Sequence, residues 1–239
     1  MKRTMRCLLP AIALLATVSC ATYNGKAMQA IGEVAVISIQ CNRIVDTSAV
    51  SSGSGTARAW MKSESFDLAP AASSVRSDVY GAYARSLPFT LVDEQVLLNS
   101  EAYLGLGDGL IEMLPAREVT LPAGYLPVTL DSRRNVKELI ARFPDVNGFL
   151  WAEVTYTLLK KDSFMGFDFV TMRADLTLTV LDRKGRGILR HTELVEDQTE
   201  FKIGGMSMLK IDQVAAAVAR ATTRASTAMA RWLEAKGAR

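Results

Sequence analysis

The chain has 239 residues, 49% of them apolar and 22% charged, with a formal net charge of +3. Lys2, Arg3 and Arg6 supply that excess: residues 1–19 contain no acid, so residues 20–239 carry 25 basic and 25 acidic side chains. A neutral body of this length buries one ample core and lacks the clustered positive charge that draws a protein to nucleic acid, so that partner class is excluded.

The basic start is followed by an apolar stretch over residues 8–18 and by Ser19 directly before Cys20. This order reads as a lipoprotein export signal, with cleavage ahead of Cys20 and lipid attached to its sulfur. The stretch is too short to cross a bilayer as a permanent helix. An ordinary secretory signal with an incidental Cys20 is the alternative, because Thr17 stands where Leu is usual. Ala21 is compatible with sorting to the outer membrane, so the expected location is that membrane, facing the periplasm. Residues 21–30 read as a short polar tether.

Residues 33–40 form an unbroken apolar run that suits an interior strand. Residues 42–70, rich in Ser, Gly and Thr, read as a long irregular loop. Ser74 can cap a helix with Val75, Val79, Tyr83 and Leu87 on one face, stopped by Pro88. A short strand over 89–92 follows, then a helix capped by Asp93 that runs through Tyr103. Gly105, Gly107 and Gly109 break the chain before an extended passage ending near Leu130. Asp131 or Ser132 opens a helix bearing Val136, Leu139, Ile140 and Phe143, closed by Pro144.

Gly148 turns the chain into a sheet. Val170, Met172, Ala174, Leu176, Leu178 and Val180 alternate strictly with polar or charged residues, the pattern of a strand with one face in the core. Strands over 149–159 and 188–196 flank it, the second reached through the glycine-bearing turn 182–187. This predicts a three-stranded antiparallel meander. From about Leu209 a long helix carries Ile211, Val214, Ala215, Val218, Ala221, Ala225, Met229 and Trp232 as one apolar stripe. The expected fold class is α/β (α+β): a mixed sheet with a carboxy-terminal meander, helices packed on it, and a long carboxy-terminal helix. One domain is expected over residues 31–239.

Residue chemistry points away from catalysis. Cys7 leaves with the signal and Cys20 takes lipid, so Cys41 has no partner for an internal disulfide and reads as a small buried hydrophobe. The single histidine, His191, is far from it in sequence and is expected on a solvated strand with no evident role. No G-x-S-x-G turn occurs. Glu153 and Asp175 can lie on neighbouring strands, where Arg173 makes a surface ion pair the expected role. Ser51-Ser-Gly-Ser-Gly-Thr56 and Gly105-Leu-Gly-Asp-Gly109 lack the lysine of a phosphate loop and read as loop and turn. No clustered metal ligands are present in the sequence, and neither metal nor cofactor is expected.

Two stretches read as docking surfaces. The turn between the first two meander strands carries Phe164, Met165 and Phe167 beside Lys160 and Lys161, an apolar tip suited to a partner protein or to lipid headgroups. Its alternative is a turn folded back over the sheet end. On the last helix Arg220, Arg224, Thr227 and Arg231 share a polar stripe that can receive an acidic partner or stand as a solvated face.

The run Val34-Ala-Val-Ile37, the step Leu87-Pro-Phe-Thr-Leu-Val-Asp93, the approach Phe143-Pro-Asp-Val-Asn-Gly-Phe-Leu150 and the hairpin Leu178-Thr-Val-Leu-Asp-Arg-Lys-Gly-Arg-Gly-Ile-Leu189 carry a resemblance. Their order behind a lipoprotein signal resembles the α/β domain of CsgG-type curli secretion lipoproteins, the amino-terminal domain of TolB and LpoB-type activators. The resemblance implies a non-enzymatic envelope protein that assembles or regulates other envelope machinery. With the lipid anchor read from the signal, the expected partners are the membrane and another envelope protein or a second copy of the chain. The charged residues 42–70 alternate too poorly for the membrane hairpins of a CsgG-type pore. A secreted hydrolase with residues 42–70 as a lid, and an oligomeric secretion-channel component, stand as the alternatives.

Overall fold

The structure is a computed structural model that describes residues 22–50, 66–107, 118–130, 132–203 and 211–237. It is mixed α/β, built on an open eight-stranded sheet. In chain order the strands are β1 (Thr22–Tyr23), β2 (Glu33–Asp46), β3 (Thr90–Leu91), β4 (Val119–Thr120), β5 (Gly148–Phe164), β6 (Phe167–Asp182), β7 (Gly187–Glu196) and β8 (Phe201–Ile203). Their spatial order is β1-β7-β6-β5-β2-β3, with β4 added to β2 and β8 added to β6. The β5–β6–β7 meander is antiparallel, whereas β2 runs parallel to both β5 and β3.

The helices are α1 (Gly25–Ala30), α2 (Ala69–Asp78), α3 (Glu94–Leu98), α4 (Glu101–Leu104), α5 (Arg133–Arg142) and α6 (Ile211–Gly237). α2 continues through a π-helical turn, Val79–Tyr83, into Ala84–Ser86. One sheet face buries Val170, Met172, Ala174, Leu176, Leu178 and Val180 under α2 and α6. The other face packs Ala35, Ile37, Phe149 and Trp151 against side chains of α3, α4 and the α5 region. This second layer is short. Residues 148–152 are buried without a break, and the alternation of buried with half-buried side chains begins at Glu153. Continuous burial over 34–41 of β2 has the same cause, cover on both faces.

α6 meets the sheet through Val214, Val218, Ala221, Ala225 and Met229, all fully buried, as their helical spacing requires. Gly148 enters β5 where nothing larger fits: a Cβ there would stand 2.7 Å from the Leu181 carbonyl oxygen and 2.4 Å from Ile31 Cδ1.

Several elements differ from the sequence reading. Residues 22–30 are a strand and a helix where a polar tether was expected. Asn24 caps α1 by accepting from the Ala27 N–H, and Met28 is fully buried beneath it. α2 begins at Ala69, five positions ahead of Ser74, because Pro70 suits a first helical turn and Asp67 Oδ1 accepts from the Ala69 N–H. The helix expected from Asp93 through Tyr103 is two, divided at Asn99 and Ser100, with Asp93 and Ser100 each capping one. The loop expected to start at residue 42 starts later, since β2 runs to Asp46. Among the described residues no helix is long and apolar enough to cross a membrane.

Candidate functional site

β5 and β6 pair along their whole length, from Gly148 opposite Asp182 to Phe164 opposite Phe167. Met165 (φ 50) and Gly166 (φ 78) close the hairpin with both central residues left-handed, the signature of a type I′ turn. Gly166 takes this conformation freely. Met165 bears a Cβ and is held there at a cost of about 1 kcal/mol. Residues 160–164 at the end of β5 and the turn 165–166 are exposed, whereas residues 167–169 of β6 are half-buried or buried. Phe164 is 61% and Met165 81% exposed, while Phe167 is half-buried. The turn therefore stands out from the body and is not folded over the sheet end.

The two lysines beside it are already engaged. Lys160 Nζ lies 2.9 Å from the buried Asp168 Oδ1, which also accepts from Ser163 Oγ at 2.5 Å. Lys161 Nζ lies 2.6 Å from Glu196 Oε1, which accepts from Thr171 Oγ1. Burial alone would raise the Glu196 pKa, but the hydrogen bonds from Lys161 and Thr171 outweigh it and hold the carboxyl below its ordinary range. β8 then pairs with residues 168–170 of β6 and places Lys202 Nζ 5.2 Å above the Phe169 ring. The hairpin base is stiffened and largely neutralised, and its tip is apolar.

The basic stripe of α6 also finds charge within the chain. Asp197, fully buried, takes a 2.8 Å hydrogen bond from Arg220 Nε, with Arg224 Nε at 3.9 Å. Arg231 is exposed further along the helix. Asp197 carries no signal in the sequence, since it follows β7 in a stretch without periodicity.

Other polar groups settle into structural roles. Cys41 is buried and its thiol is pushed up to about 12, chiefly by desolvation. His191 is 7% exposed and stacks on Trp232 at 3.7 Å, with Nε2 on Glu193. The solvated position expected for it is corrected: β7 turns this side chain toward α6. Glu153 and Asp175 lie on the neighbouring strands β5 and β6, with Glu153 opposite Thr177, and Arg173 pairs with Asp175 at 2.7 Å as expected. Gly105–Gly107 is a 3-10 turn. Cys20, Ser51 to Thr56, Asp108 and Gly109 lie outside the described residues. Among the described residues no group of His, Cys, Asp and Glu is disposed to hold a metal.

Sequence reasoning missed two arrangements. A groove of about 650 Å³ runs beside the edge strand β3, between Arg76 of α2, Tyr80 of the π-helical turn after it, and residues 89–95. Within it the Arg76 guanidinium forms a bidentate pair with Glu94, which also accepts from the Tyr125 hydroxyl at 2.9 Å. On the sheet face below α3 to α5, Gln40 is fully buried and neither of its amide atoms has a partner among the described residues; the buried Trp151 Nε1 and Thr179 Oγ1 likewise have none there. Register places Gln40 opposite Glu153 and Trp151 opposite Thr179. No local pattern announces either cluster, because each joins residues from elements distant in sequence.

Comparison with known protein families and with curated proteins finds no match to this chain.

Proposed function

We propose that this chain is a lipid-anchored, periplasm-facing binding and assembly module of the bacterial envelope, without catalytic activity, which captures a protein partner with the tip of the β5–β6 hairpin. The observation that carries the reading is the exposed pair Phe164 and Met165 on a turn held in an unfavourable backbone conformation. Exposed aromatic and Met side chains at a rigid point are the chemistry of an anchor residue entering an apolar socket. A protein socket fits better than a lipid surface, because Lys160 and Lys161 already answer Asp168 and Glu196 and offer little charge to anionic headgroups. The envelope location rests on the signal-like residues 1–20, and the resemblance to CsgG-type, TolB and LpoB-type domains supports a role in assembling other machinery.

Crosslinking in intact cells followed by mass spectrometry tests the reading. Wild-type protein is expected to yield a discrete crosslinked partner, and the double variant Phe164→Ser, Phe167→Ser to lose it while keeping its thermal midpoint to within a few degrees. An unaltered partner yield from a folded double variant overturns the assignment of the tip.

A further inference from the structure

β1 begins at Thr22, two positions after Cys20. Two residues of chain reach at most about 7 Å. An acyl group on Cys20 would therefore hold the β1 edge of the sheet itself against the bilayer, with no tether to let the body turn. What stands on that edge then decides how the molecule lies.

Thr22 pairs with Arg190 and Tyr23 with Leu189, so β1 closes the sheet outside β7. The Tyr23 ring meets Trp232 edge to face with centroids 5.8 Å apart, and Lys236 Nζ sits 5.7 Å above both rings. Lys26, on the helix that follows β1, is exposed. Beyond it the β6–β7 turn presents exposed Arg183, Lys184 and Arg186, separated from Ala27 and Ala30 by a shallow cleft of about 240 Å³. Of the acids nearby, Asp182 caps and pairs within this turn and Glu193 holds His191, while Glu33 and Asp145, close in sequence to residues lining the cleft, are exposed and outnumbered by the exposed Lys26, Arg183, Lys184 and Arg186. Glu234 on α6 lines a different cleft, with Arg85. Half-buried Tyr and Trp rings beside lysines form the combination that suits the headgroup level of a bilayer, and the charge is of the sign that anionic phospholipid attracts.

We propose that the β1 edge, with Tyr23, Lys26, Lys184, Trp232 and Lys236, is the face that lies on anionic phospholipid headgroups. The inference rests on the lipid anchor proposed above, and it adds an electrostatic contact that fixes orientation. The contact is intrinsic to the folded body, so it survives removal of the acyl chain.

The test uses the chain from residue 20 onward with Cys20→Ser, unlipidated, sedimented with vesicles at low salt. It is expected to bind vesicles of phosphatidylglycerol mixed with phosphatidylcholine, to leave pure phosphatidylcholine vesicles unbound, and to release in high salt. Lys26→Glu with Lys184→Glu should lower the bound fraction roughly tenfold or more without moving the thermal midpoint. A second variant, Lys236→Glu, should lower it independently, so a folding defect in one does not decide the matter. Equal binding to both vesicle types, absence of binding by the parent protein, or full binding by the folded variants overturns the proposal. Mass spectrometry of the Cys20 peptide from native membranes reports separately on the acyl chain. Its absence with vesicle binding intact overturns the anchor and leaves the lipid face standing.

Discussion

At the β3 edge, Glu94 shows how one side chain is tuned. The Arg76 hydrogen bonds lower its pKa most, burial opposes them, and the Tyr125 hydroxyl adds to the lowering. A carboxylate whose folded pKa lies below its unfolded value stabilises the fold fully at pH above the unfolded value and loses that contribution as pH falls through the folded one. The unfolded value here is 4.5. Glu94→Gln is therefore expected to lower the urea midpoint at pH 7 by the equivalent of about 1 kcal/mol or less, since the Arg76 side chain is 42% exposed and its charge is screened. Below pH 4.5 the gap between variant and parent should close. A gap that stays constant from pH 7 to pH 3 would contradict a depressed carboxyl. At this scale the sequence was informative only where a residue's role follows from its own chemistry. Cys41, just after an apolar run, is buried as expected, and that burial raises its pKa. Asp197 holding Arg220 and His191 stacking on Trp232 depend on which elements pack together, and no local pattern records that.

Elements with strong periodicity were legible. The alternation in β6, the turn after it and the stripe of α6 all stand where the residue pattern puts them, because each buries one face and the buried face writes the period into the sequence. Short edge strands leave a fainter record. β3 falls within the strand expected over 89–92, but β1, β4 and β8, two or three residues each, were not foreseen and owe their existence to a neighbour's unpaired backbone. The hairpin tip lies between these cases: its position followed from the meander, but its turn type did not, because Met is a poor occupant of the first central place in a type I′ turn. Met165→Asn supplies the residue this turn prefers. The variant is expected to stabilise the fold by roughly 0.5–1 kcal/mol in urea denaturation. Its partner crosslinking yield should fall, since the thioether is removed from the tip proposed to dock. A variant that is both less stable and equally adhesive would show that the strained methionine serves neither purpose.

For the molecule as a whole, the consequence of the sheet register is distance. Thr22 stands in one row with Arg190, Thr179 and Trp151, and Phe164 lies thirteen positions further along β5. At the rise of an extended strand this is roughly 40 Å. The acylated residue proposed at one end and the apolar tip at the other are thus joined by a continuous antiparallel hairpin with no hinge in its pairing, apart from one register shift near Lys160. With Cys20 acylated as proposed, a rigid connection of this kind would present the tip at a set place relative to the bilayer, and the short link from Cys20 to Thr22 would transmit the anchor's position to the sheet. Inserting twelve Gly and Ser residues between Ala21 and Thr22 would replace that link with a coil of roughly 20 Å root-mean-square span. The inserted protein is expected to keep its thermal midpoint and its acyl chain, because β1 and α1 are untouched. Amine labelling of Lys26 in intact membranes should rise, and partner crosslinking should fall several-fold as the tip's local concentration at its socket is diluted. Unchanged labelling together with unchanged crosslinking would mean that the short link does not govern how the body is held. A rise in labelling alone would separate the lipid-facing edge from the demands of the partner.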